Sequence, residues 1–149
     1  MKIGLLEIRL NKNIGNNREH SVLTLEEFQN DISKYKLEFS VARSLEELYK
    51  GLPYSNGCGA KGGIKFPDTM YFISVCAACV IHDIEWKLST SYKELLLSNE
   101  NFDNNLKKIT DFESMNDAMR WLRRLRVGKY VNGVELHGTD AYAIERGFI

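Results

Sequence analysis

The run from Thr69 to Leu88 limits what this chain can fold into more than any other stretch. Tyr71, Phe72, Val75, Cys76, Cys79, Ile81 and Trp86 leave it little polar surface, so as one helix over 69–88 it must be covered on most sides. No stretch of the chain is long and apolar enough to cross a bilayer, so the cover has to come from the protein itself. Inside the run stands an adjacent pair, His82-Asp83. Ionisable residues on an apolar helix cost free energy unless they have partners or chemistry to perform.

The flanks supply the cover. After Ser89-Thr90-Ser91 a second helix runs to about Ile109, with Tyr92, Leu95, Leu96, Phe102 and Leu106 as its apolar set. So short a link makes the two helices an antiparallel pair. Ser114 with Asp117 caps a third helix, Met115 to about Lys129, that buries Met119, Leu122 and Leu125. The tail from Tyr130 to Ile149, with Gly133, Gly138 and Gly147, reads as irregular with a short hairpin or helical turn.

Upstream, residues 2–10 read as a strand and Asn11–His20 as a loop. Thr24 and Glu27 form a capping box opening a helix over Leu25–Lys34. Leu37–Ala42 alternates and predicts a second strand. Ser44 with Glu47 opens a short helix to Lys50, stopped by Gly51-Leu52-Pro53. The expected architecture is mainly α: a small α+β N-terminal unit over residues 1–53, packed on a helical core over residues 54–149.

Twenty basic residues balance twenty acidic ones, so net charge gives no support to a nucleic-acid partner. Arg120, Arg123, Arg124, Arg126 and Lys129 do cluster on the third helix. The plain reading is a solvated face, and the alternative is a surface for phosphate. MKIGLLEIRL is broken by Glu7 and Arg9 and does not read as a signal peptide. The expected location is therefore the cytoplasm. Three cysteines, Cys58, Cys76 and Cys79, in a chain read as unexported argue against a disulfide-dense scaffold. One disulfide plus a thiol, or three thiols, both remain open.

Gly57, Gly59, Gly62 and Gly63 free the loop ahead of the apolar run to turn its backbone carbonyls or amides inward. The spacing is neither a Walker loop nor a dinucleotide fingerprint. Adjacent helical residues point about 100° apart, so His82 and Asp83 serve neighbouring purposes and not each other. A carboxylate beside inward carbonyls is an all-oxygen environment that suits Ca²⁺, and the imidazole could act as base on a water. A competing arrangement uses sulfur: Cys76, Cys79 and His82 lie along one helix face, and Cys58 would complete a tetrahedral zinc site.

Cys58-Gly59-Ala60-Lys61-Gly62-Gly63, Pro67, Cys79-Val80-Ile81-His82-Asp83 and Trp86 together resemble the phospholipase A2 superfamily, in particular its short prokaryotic and phage forms. The resemblance covers about residues 55–147. It implies calcium-dependent hydrolysis of the sn-2 ester of glycerophospholipids, with His82 as the base that activates water. It assigns calcium to Asp83 and the carbonyls of Gly57, Gly59 and Gly62, and the oxyanion to the Gly59 amide. It also implies a disulfide between Cys58 and Cys79. The family's aspartate that orients the histidine falls on Asn99, in Ser98-Asn99-Glu100-Asn101-Phe102. That departure keeps a hydrogen-bond acceptor beside His82 but removes its charge.

Two functions follow. One is a calcium-dependent lipid hydrolase working at a phospholipid surface, in the cytoplasm or, if phage-encoded, with the virion. The other is a catalytically silent phospholipase A2-like scaffold that binds a host protein or an anionic partner.

Overall fold

The computed structural model describes residues 23–55, 69–70 and 73–149. The strand expected over residues 2–10, the loop that follows it and the glycine-rich stretch with Gly57, Cys58, Gly59 and Gly62 lie outside the described residues. What is described is mainly helical. The order is α1 (Leu25–Tyr35), α2 (Leu45–Gly51) running into a 3₁₀ turn (Leu52–Tyr54), β1 (Thr69–Met70), β2 (Ile73–Ser74), α3 (Cys76–Leu88), α4 (Tyr92–Glu113), α5 (Asp117–Val134) and α6 (Asp140–Arg146).

Local chemistry sets the helix starts. Thr24 Oγ1 accepts from Glu27 N while Glu27 Oε1 accepts from Thr24 N, both at 3.1 Å, a complete capping box. At α2 only half of the expected box forms. Ser44 caps Glu47 N, but the Glu47 carboxylate turns back to Arg43 N. The cap of α5 is Asn116, whose Oδ1 accepts from Met119 N, and not Ser114. The Ser114 hydroxyl instead donates to Thr110 O and closes the end of α4.

The long buried helix is α3, and it begins at Cys76 and not at Thr69. The front of the run is used for antiparallel pairing, with Thr69 opposite Ser74 and Met70 opposite Ile73. A short apolar run rich in aromatic and β-branched residues satisfies a strand as well as a buried helix, and periodicity does not separate them. Ser74 Oγ then accepts from Cys76 N and satisfies one of the first amides of α3.

Helix α3 is covered as its composition requires. Nearly all of its residues are buried, and its main neighbour is α4. The pair is antiparallel: Trp86 meets Asn99 while His82, one turn earlier, reaches Phe102. Leu95, Phe102 and Leu106 of α4 are buried as expected, whereas Leu96 is exposed. Phe28 and Ile32 of α1, Leu48 of α2 and Ile81 and Ile84 of α3 share one core with Leu106, Ile109, Val127 and Tyr130. Gly51 permits the closest approach in that core. A Cβ there would stand 2.7 Å from Ile84 Cγ2.

Three expectations fail on the periphery. Residues 37–42 are not a strand, because their amides go elsewhere. Ser40 N, Val41 N and Ala42 N all donate to Glu85 Oε2 of α3, and Asn105 of α4 clasps Glu38 through both its backbone N–H and its C=O. On α5 the buried face is Arg123, Val127 and Tyr130, with Leu122 and Leu125 exposed and Met119 only partly covered. The tail is not irregular: it continues α5 through a π turn over Glu135–Thr139 into α6.

Candidate functional site

His82 projects from the middle of α3 into the seam with α4. Its ring stacks on Phe102 at 4.5 Å between centroids and lies 4.8 Å from the tilted indole of Trp86. Burial between two aromatic rings disfavours the imidazolium, and it pushes the His82 pKa down to about 4 against the weaker opposing effects of Asn99 and Asp83. At neutral pH the ring is therefore uncharged.

A network of donors fixes which nitrogen holds its proton. Trp86 Nε1 is a donor only, and it points at Asn99 Oδ1 from 2.9 Å. The amide nitrogen of Asn99 faces the other way and donates to Thr139 Oγ1 at 2.9 Å. Thr139 in turn donates to Val134 O at 3.1 Å. The oxygen of Asn99 thus has one orientation, and His82 Nε2, 2.7 Å away, must donate to it. The remaining lone pair is on Nδ1, the atom free to act as a base. The expected pairing of His82 with residue 99 is present, and an amide performs it.

Thr139 and Trp86 were not legible as parts of this network. Thr139 reaches Asn99 because it closes the π turn, the kind of helix defect that commonly marks functional positions. Gly138 beside it lets the turn come close, since a Cβ there would lie 3.0 Å from Trp86 Cη2.

The His-Asp pair is not the only ionisable feature of α3. Glu85 is fully buried, with three backbone amides on Oε2 and Asn101 Nδ2 on Oε1. It holds the segment before α2 against the site helix. Lys87 is buried too: its Nζ donates to Asp83 Oδ2 at 2.9 Å and to Tyr54 O at 3.0 Å. Asp83, expected to hold a metal, is thus in a salt bridge with the residue one turn further on. Asp83 Oδ2 and Tyr54 O are oxygens, the atom type that a hard cation takes, and the Lys87 ammonium stands on them.

Other expected ligands fare differently. Gly57, Gly59 and Gly62 lie outside the described residues, as does Cys58. Cys79 is disulfide-bonded, and a disulfide sulfur has no thiolate to give zinc. Cys76 stays a buried thiol. Among the described residues no group of three His, Cys, Asp or Glu side chains is placed to hold a metal ion.

The basic cluster of α5 is largely engaged within the chain. Arg124 forks onto Asp111, Arg120 reaches Asp117 and Arg123 caps the end of α4 through Glu113 O. Among the described residues no helix is long and apolar enough to cross a membrane. No family model, curated protein or solved structure matches the chain significantly.

Proposed function

We propose that this chain is a phospholipase A2-like hydrolase that cleaves the sn-2 ester of glycerophospholipids with calcium as its cofactor. The observation that carries the reading is the 2.7 Å pair of His82 Nε2 and Asn99 Oδ1 across antiparallel helices, with the imidazole proton fixed on Nε2. His82 Nδ1 takes a proton from water, the hydroxide adds to the ester carbonyl, and the expelled lysophospholipid oxygen receives that proton back from His82. Asn99 keeps the ring aligned throughout but offers no charge to the imidazolium, so turnover is slow.

When bound, calcium supplies positive charge for the ester oxyanion. Asp83 is the carboxylate that would hold it, with the carbonyls of Gly57, Gly59 and Gly62 as the further ligands that the family resemblance implies. Phosphatidylglycerol vesicles test the reading through fatty-acid release in millimolar Ca²⁺ or in chelator, with wild type beside His82→Gln. Release that needs both calcium and His82 is the expected result. Equal rates in all arms would overturn it.

A second reading is a silent scaffold that docks a partner protein. It is favoured by the Lys87 ammonium on Asp83 and by the exposed apolar residues Trp121, Leu122 and Leu125 along α5. Absence of release with retained fold would leave this reading standing.

A further inference from the structure

Helix α5 is apolar on two sides, and the chain covers one of them. Val127 and Tyr130 are buried in the core, with Arg123 beside them. On the other side Trp121, Leu122 and Leu125 are exposed, and exposed Ala118 and Gly128 extend the stripe. A helix that is apolar on both faces needs a partner for each, and a contiguous exposed apolar stripe marks an interaction surface.

The charge along its edges decides which partner. Arg124 and Arg126 stand about 100° to either side of Leu125, and exposed Lys129 follows Leu125 one turn on. No acidic residue lies between Ala118 and Val134. Asp111 and Asp117 pair with Arg120 and Arg124, and Asp103 pairs with Lys107, so cations outnumber carboxylates around the stripe. Ion pairs as exposed as these are weak and exchange readily with other anions. A second copy of the chain would set the same positive rim against itself. Nucleic acid would take the cations but offers Leu122 and Leu125 no apolar surface. An anionic bilayer supplies phosphates for the rim and acyl chains for the stripe, and tryptophan favours that boundary.

We propose that α5 lies in the plane of an anionic phospholipid bilayer, with Trp121, Leu122 and Leu125 at the boundary of headgroups and acyl chains. Arg124, Arg126 and Lys129 then meet lipid phosphates. The inference goes beyond the proposed hydrolase, and none of its observations comes from the His82 site.

The test reads docking in chelator, apart from any hydrolysis. The chain has two tryptophans, and Trp86 is 8% exposed while Trp121 is 63% exposed, so a vesicle-dependent change in emission belongs to Trp121. Vesicles of phosphatidylglycerol or phosphatidylcholine are titrated into wild type, Trp121→Phe, Leu125→Asp and the double variant Arg126→Gln with Lys129→Gln. Sedimentation with the vesicles measures partition, and Leu122→Ser stands in if Leu125→Asp does not fold. Wild type should partition onto phosphatidylglycerol more strongly than onto phosphatidylcholine, on the order of tenfold. Its emission should shift to the blue, and Trp121→Phe should lose that shift. Leu125→Asp should lose partition, and the double variant should lose the preference for phosphatidylglycerol. Wild type that stays in solution, equal partition onto both lipids, or full partition of Leu125→Asp overturns the proposal. So does a Trp121 that acrylamide cannot quench in the free protein, or a dimer without vesicle binding that Leu125→Asp dissolves. Docking without fatty-acid release in Ca²⁺ sinks the hydrolase and leaves α5 its role. Release that Leu125→Asp matches on the same vesicles keeps the hydrolase and sinks the docking helix.

Discussion

Trp86 Nε1 and His82 Nε2 converge on the same oxygen of Asn99, at 2.9 and 2.7 Å. The indole is what makes the amide unambiguous: without a fixed donor on one side, the amide of Asn99 could present either end to the imidazole. Trp86→Phe keeps the ring packing and deletes the donor. Nitrogen NMR of the imidazole should then show His82 leaving a single Nε2-protonated form for a mixture of tautomers, with a several-fold loss of any hydrolysis. An unchanged tautomer in Trp86→Phe would show that Thr139 alone orients Asn99.

Asn99 holds the histidine but cannot stabilise its charged form. Asn99→Asp returns a carboxylate that can accept from both Trp86 and His82, with the Thr139 hydroxyl rotated to donate. In an unrelated hydrolase the loss of such a charge lowers turnover by roughly 10⁴, part of it through the wrong tautomer. Here the tautomer is already correct, so the gain is smaller, on the order of 10² in kcat. The carboxylate also raises the His82 pKa from about 4. The acid limb of the rate profile should move to higher pH in Asn99→Asp, and a pH–rate comparison on phosphatidylglycerol vesicles reads both effects.

Burial of neutral His82 makes stability depend on pH in a definite direction. Its folded pKa, about 4, lies below the ordinary value of 6.5, so between these values the unfolded chain binds more protons. Stability is fully present above pH 6.5 and declines as pH falls towards 4, by about 3 kcal/mol at the limit. Thermal unfolding from pH 7.5 to 4.5 should show this decline in wild type and a shallower one in His82→Gln.

Local signals carried the helix pair and the first two helix starts into the sequence reading. The capping box at Thr24 and the single cap at Ser44 are short-range chemistry, and the apolar spacing of Leu95, Phe102 and Leu106 fixes one face of α4. The misses are tertiary. Leu37–Ala42 alternates like a strand, but the amides of Ser40, Val41 and Ala42 go to a carboxylate from α3 and that of Glu38 to Asn105. On α5, Leu122 and Leu125 compete with Val127 and Tyr130 for the core, and the pairing of Arg123 with the end of α4 accompanies the second choice. The glycines of the tail suggest loop, yet Gly138 serves a close approach to Trp86 inside a continuous helical path. For the site, His82 stands out as an ionisable residue in an apolar run, and Asn99 follows only from the family resemblance. Glu85 and Thr139 are not legible, since each matters through partners distant in sequence, and for Lys87 the i,i+4 spacing from Asp83 is local but its burial and its contact with Tyr54 O are tertiary.

Glu85 offers a test of how the segment before α2 is held. Three consecutive amides, from Ser40, Val41 and Ala42, point at one buried carboxylate oxygen, which lies 2.8 Å from the first and 3.0 Å from the third. Hydrogen bonds to a charged acceptor are stronger than neutral ones, and each buried amide left without a partner costs about 1–3 kcal/mol. Glu85→Ala orphans the buried amides of Val41 and Ala42 and leaves that of Ser40 to solvent, and it should lower stability by roughly 3–5 kcal/mol. Glu85→Gln keeps one oxygen for the amides, so its loss should be roughly 1–3 kcal/mol. Urea unfolding measures both. Hydrogen exchange adds a local signature: residues 40–42 should lose protection in both variants, more in Glu85→Ala, while Leu106 and Ile109 in α4 keep theirs. Equal loss of protection everywhere would mean that Glu85 supports the whole core and not this one attachment.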